Sequence, residues 1–168
     1  MTRDGVTEDL VHALVTGTHA EGIVNLYVAA AVEHRGQALL VASNDDELDP
    51  SFELPFTAVL PGEQLLDALR RCLAPLGLNV AQFTGYLGHH DRDDAGDGAR
   101  VFCFAVTATN PHAVCHAATI GHDWADLDDP AGVPPWARSH LIELSTWPPM
   151  PTPVRSSFAQ PNTNGHVS

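Results

Sequence analysis

Residues 61–78 read Pro61-Gly62-Glu63-Gln64-Leu65-Leu66-Asp67-Ala68-Leu69-Arg70-Arg71-Cys72-Leu73-Ala74-Pro75-Leu76-Gly77-Leu78. Leu65, Leu66, Leu69, Cys72, Leu73 and Leu76 recur at helical spacing, so one face of the segment is apolar and should lie on a core. Glu63, Asp67 and Arg71 follow one another on the polar face, a spacing that lets Asp67 and Arg71 pair. Pro61-Gly62 opens the segment and Gly77 closes it. Pro75 has no amide hydrogen to return to the Arg71 carbonyl. The helix is therefore expected from about Glu63 to about Ala74.

Working outward, Ile23 to Val32 is a nearly continuous apolar run that reads as a buried strand. Arg35-Gly36 turns the chain into a second strand at Ala38–Ala42. An acidic loop, Asn44 to Pro50, leads to a third strand from Phe52 to Leu60, interrupted at Pro55. Before all of these, Thr7 can cap a short helix whose stripe is Leu10, Val11, Leu14 and Val15 and which Gly17 stops. After the central helix come two strands, near Val80 to His90 and Arg100 to Thr109. The stretch between them, Asp91 to Gly98, reads as a polar loop with Asp97-Gly98 as a hairpin signal. Asp123 to Asp129 reads as a short strand and turn, and Pro134 to Thr146 as a helix with Trp136, Leu141, Ile142 and Leu144 available for packing. From residue 148 to 168 no periodicity remains, and disorder is expected. The mixture implies an α+β fold, an α/β/α sandwich, in one domain over residues 1–147 whose first twenty residues form a helical extension.

The order of these elements resembles a Nudix domain. Leu54-Pro55 sits where that family carries Leu-Pro ahead of its signature box. Glu63 matches the first glutamate of the box, and Leu66, Ala68 and Arg71 match its helix. Gly77-Leu78 matches the closing pair. Arg100-Val101-Phe102-Cys103-Phe104 is similar to a later core strand, and the stretch from His122 to Asp129 is similar to the family's His-x-x-Trp turn, with only Asp123 between His122 and Trp124. The likeness runs from about Gly22 to Trp147 and implies a mixed sheet with flanking helices.

Departures from the box bear on function. Thr57 replaces its opening glycine, and Cys72 stands where a glutamate follows the arginine. Ala74-Pro75-Leu76 gives three residues where the box has four, and the paired glutamates are missing. Magnesium is a hard cation that takes oxygen ligands, and neither thiol, proline nor leucine supplies one. In the family Glu63 and Arg71 would be partly architectural. No metal ligand set and no cofactor is assigned on this reading.

Candidate acid/base residues are Glu53, beside Leu-Pro, and His89 or His90, which are expected to end a strand. Strand alternation lets only one of the two histidines face a cleft. Tyr27, Phe83, Tyr86 and Phe104 can line an aromatic pocket; Thr57, Glu63, Arg71 and His122 complete the candidate ligand contacts. Outward-facing strand positions and ordinary core packing account for the same residues without any ligand. His112, Cys115, His116 and His122 form a second cluster whose role is open.

The formal net charge is −13, and every Lys/Arg cation is an arginine. Such a surface repels phosphate backbones, so nucleic acid is excluded as a general partner. No run of 18 apolar residues exists for a membrane helix. Met1 to Gly5 lacks signal-peptide features, and Cys72, Cys103 and Cys115 form no C-x-x-C pair, so a cytoplasmic protein is expected. A small-molecule ligand is the expected partner, and a homodimer is compatible with the sequence. The first expectation is a Nudix-fold protein repurposed for a weakly charged metabolite without metal. Its rivals are a divergent hydrolase recruiting Glu53, Glu63 and Asp67, and a catalytically silent sensor domain.

Overall fold

In the computed structural model, the described residues are 5–42, 52–78, 80–94, 96–108, 110, 122–129 and 133–147. The acidic loop at 44–50, the His112–His116 cluster and the tail at 148–168 lie outside them. The described elements run α1 (Glu8–Ala20), β1 (Asn25–His34), β2 (Gln37–Ala42), β3 (Phe52–Glu53), β4 (Phe56–Ala58), α2 (Leu65–Leu73), β5 (Val80–Asp94), β6 (Asp97–Ala108), β7 (His122–Asp126) and α3 (Pro135–Ser145).

One mixed sheet carries the order β3-β2-β1-β6-β5, with β4 paired to β1 and β7 paired to β2. The long β1 pairs in parallel with β6 along one edge. Its other edge is shared by β2 near the hairpin and by β4 farther back. Pro55 explains the division. It interrupts pairing between Phe52–Glu53, which joins β2, and Phe56–Ala58, which joins β1. The expected interruption of the third strand is thus a change of partner.

Alternation along β1 and β6 sorts their side chains into two cores. Val28, Ala30, Val32, Phe102, Phe104 and Val106 meet Leu65, Ala68, Leu69 and Leu73 of α2 on one face. Ala29, Ala31, Val101, Cys103 and Ala105 meet Ala137, Leu141 and Leu144 of α3 on the other. Both faces of β1 and β6 are covered, which is why β1 reads as an unbroken apolar run. The result is the expected α/β/α sandwich.

Several boundaries differ from expectation. Thr7 does cap α1, its hydroxyl accepting from the Leu10 amide at 3.2 Å. The helix nevertheless continues past Gly17 to Ala20, because Thr18 is buried under it and bonds back to the Leu14 carbonyl. The central helix is regular from Leu65 to Leu73, continues as a 3-10 turn over Ala74–Leu76, and stops at Gly77 with φ +68°. The residues expected to form a polar loop at 91–98 are mostly strand: β5 and β6 pair down to Asp94 opposite Asp97. Gly96, at φ +89°, takes part in the turn instead of Asp97-Gly98. Ile142, expected to pack, is half exposed, since Leu141 and Leu144 take the inner face of α3.

Candidate functional site

Arg71 projects from α2 onto the loop that precedes it. Its Nε and Nη2 donate to the two Glu63 carboxylate oxygens at 2.9 and 3.0 Å. Nη2 also reaches the Ala58 carbonyl at 2.7 Å, and Nη1 the Thr57 hydroxyl at 3.3 Å. Glu63 in turn accepts from the Leu60 amide at 2.9 Å. A fork of charge-assisted bonds therefore fixes the loop from Thr57 to Glu63. The Arg71 guanidinium, with help from the Leu60 amide, holds the Glu63 carboxyl down at about 2. Asp67 does not join Arg71 as expected; it pairs with Arg70 at 2.9 Å, three residues along an exposed face.

Beyond Arg71 the helix offers no anionic oxygen. Cys72 is half-buried and its thiol is pushed up to about 11 by desolvation, so it is neutral at physiological pH. Leu73 and Leu76 are buried in the core under α2. Among the described residues no three His, Cys, Asp or Glu side chains gather to hold a metal ion. Glu63 is committed to Arg71 and Asp67 to Arg70. Among the described residues, no side-chain set is assembled that fits magnesium.

On the opposite face, an aromatic cluster sits where β1, β4, β5 and α3 meet. Trp136 of α3 stacks on His90 with ring centroids 4.6 Å apart and planes 22° from parallel. The indole also meets Phe56 edge-on at 6.2 Å, and Phe56 meets Tyr27 at 6.3 Å. Arg92 lies over the Phe56 ring at 5.6 Å. All five side chains are half-buried. His140 lies deeper, 6.1 Å from His90 between ring centroids and 6% exposed. Both ring nitrogens of His90 and Nε2 of His140 are shielded from solvent without a hydrogen-bond partner. Such groups are costly to leave unpaired.

A bulge puts His90 there. Tyr86 pairs with Phe104, but Gly88 pairs with the next residue, Cys103, leaving Leu87 extra. Strict alternation would keep His90 on the Tyr86 face, toward α2; the extra residue turns it toward α3. Gly88 has φ +125°, a conformation other residues rarely adopt, and a side chain there would point at the His140 ring.

The remaining candidates scatter. His89 faces the other side, where its Nδ1 lies 3.0 Å from the Tyr86 hydroxyl. Only one of the pair faces the α3 side, as alternation requires, but both stand within β5 and not at its end. Glu53 is half-buried on β3, at the opposite end of the strand order from β5. The expected Glu53–histidine acid/base pair is therefore not assembled. Tyr27 belongs to the Trp136 cluster, whereas Phe83, Tyr86 and Phe104 pack on the α2 face, Phe104 fully buried. The four aromatics do not line one pocket. Thr57 serves the Arg71 clamp. The His122 backbone pairs with Val41, and its side chain lies outside the described residues. Nothing in the sequence singles out Phe56, Arg92 or His140, and Trp136 reads there as a packing residue only.

Solved structures share this architecture. A MutT Nudix hydrolase from Burkholderia pseudomallei superposes with a TM-score of 0.57 at 21% identity, over 71% of this chain and 97% of that one. The Ap4A hydrolase of C. elegans gives 0.54 at 16% identity, over 73% and 97%. An ADP compounds hydrolase gives 0.55 at 13%, over 71% and 70%.

The chain has the Nudix fold.

No protein-family model matches its sequence, and no curated protein does either. Identities this low carry the fold and not the activity.

The unpaired imidazoles give the fold a pH dependence. Burial, then the neighbouring His140 and Arg92 charges, pushes His90 down to about 4, and burial lowers His140 as well. In an unfolded chain a histidine titrates near 6.5 (roughly). Between about pH 6.5 and 4 the unfolded state takes up protons that the folded state refuses, so stability falls as pH falls through that window. Glu63 acts lower: its contribution is complete above about pH 4.5 and is lost as pH falls toward 2. Denaturant midpoints measured against pH should show both descents. His90→Phe should flatten the upper one and leave the lower unchanged; an unaltered upper slope would refute the assignment.

Proposed function

We propose that this Nudix-fold chain binds, or transforms without metal, a small and weakly charged planar metabolite at the Trp136 cluster, in place of magnesium-dependent diphosphate hydrolysis. One observation carries the reading: the end of the signature helix presents Cys72, Pro75 and a buried Leu76, none of which can hold magnesium against a diphosphate. The cluster supports the other half. Trp136, Phe56 and Tyr27 offer ring faces and edges to a flat molecule. His90 and Nε2 of His140 offer nitrogens whose desolvation has already been incurred. Because His90 is neutral at about pH 7, it can accept a hydrogen bond or a proton from the ligand.

Charge points the same way. A molecule bearing several phosphates meets a chain of net charge −13 with Arg92 as the cation at the cluster. Each repulsion costs about 1 kcal/mol at contact in water, and a few of them outweigh one arginine. The three similar solved structures named above are hydrolases, which keeps a divergent hydrolase as the second reading; it requires carboxylates that the described residues do not bring together.

A thermal-shift screen without added metal tests the proposal. Neutral planar compounds should raise the melting temperature, and the gain should vanish in His90→Ala. Stabilisation mainly by nucleotides and nucleoside diphosphate sugars would sink it.

A further inference from the structure

The α1 side of the sheet borders a second cleft, which shares only Tyr27 with the Trp136 cluster. It lies between α1 and the loop from Ala58 to Gln64, with a volume of about 940 Å³. That is ample for a small ligand. Its floor is apolar, built from Val11, Val15, Leu26 and Leu65. The three most exposed large apolar side chains among the described residues are Val24 at 73%, Leu60 at 52% and Ile142 at 50%, and the first two line this cleft. Apolar surface held open at a concave site marks a place where something binds.

Charge selects the ligand. Among the described lining residues none is Lys or Arg, while Glu8, Asp9 and Glu63 are carboxylates. Glu63 is matched by Arg71, which leaves Glu8 and Asp9. The N-termini of α1 and α2 both open here and bring about half a positive charge each, less than the two full negative charges opposing them. His12 and His19 add ring nitrogens on the rim. We propose that this cleft is a second binding site, specific for a small apolar molecule that bears a cationic nitrogen. The apolar body covers Val24 and Leu60, and the ammonium lies toward Glu8 and Asp9.

Three probes with one skeleton separate the contributions: 2-phenylethylamine, 2-phenylethanol and 3-phenylpropionate. Mapped by amide chemical shifts on the full chain, the amine should move Val15, Val24 and residues 62–66, the alcohol should move them less, and the carboxylate should leave them in place. Glu8→Gln combined with Asp9→Asn should weaken the amine by about fivefold and leave the alcohol unchanged. Val24→Arg, at a side chain too exposed to threaten folding, should weaken the amine comparably. Equal binding of amine and carboxylate, shifts confined to the Trp136 cluster, no shifts at all, or wild-type affinity in both variants would each overturn the proposal.

Discussion

Trp136→Ala should weaken the best neutral ligand by about thirtyfold, the loss expected when a buried aromatic anchor of about 2 kcal/mol is removed. The indole is the one ring that touches both sides of the cluster, stacked on His90 and edge-on to Phe56. Without it a flat ligand loses its largest face, and the His90 nitrogens become open to water, which competes for them. The fold should survive, because Ala137, Leu141 and Leu144 carry the burial of α3. Trp136→Phe should recover most of the affinity. Isothermal titration of the three proteins decides it: an Ala variant that binds like wild type would remove the cluster from the account.

Arg100→Met should lower the unfolding free energy by about 3 kcal/mol, toward the low end of what breaking a buried ion pair costs. Arg100 is 5% exposed and ties α1 to the sheet. Its Nη2 donates to Glu21 at 2.7 Å and to Asp91 at 2.9 Å, its Nε to Asp91 at 2.6 Å, and its Nη1 to Thr18 at 3.3 Å. Both carboxylates are more than half exposed and can turn to water when the guanidinium goes, which holds the loss down. The Asp67–Arg70 pair is the contrast: both partners are exposed, and Arg70→Met should change stability by roughly 0.5 kcal/mol or less. Urea denaturation measures both. Equal effects would mean that burial does not distinguish them.

Much of the fold was legible because its signals are local and periodic. The Leu65–Leu76 stripe, the β1 run and the Arg35-Gly36 turn each declare themselves within a dozen or so residues. The boundaries that shifted depend on tertiary partners. Thr18 keeps α1 going because Arg100 waits 82 residues away, and residues 91–94 are strand because residues 97–100 pair with them. The site was less legible, for a geometric reason. Strand alternation predicts one histidine per face, but the bulge at Leu87-Gly88 decides which face receives His90. Trp136 and His140 lie about fifty residues farther on and meet His90 only through the packing of α3. Glu53 looked catalytic from its place beside Leu-Pro; the strand order sets it at the far edge from β5. The spacing points to Asp67 as the partner of Arg71, and the resemblance implies only a partly architectural role for Glu63 and Arg71; their direct hydrogen bonds depend on the loop fold from Thr57 to Glu63.

The central proposal is that α2 and its preceding loop do not support magnesium-dependent hydrolysis of diphosphates. It is tested most directly by incubating the chain with millimolar magnesium and a panel of dinucleotides and nucleoside diphosphate sugars, followed by phosphorus NMR. Product should form no faster than in buffer alone, and Glu63→Gln should make no difference to that background. Magnesium-dependent turnover that Glu63→Gln abolishes would contradict the account and establish a hydrolase built from other ligands.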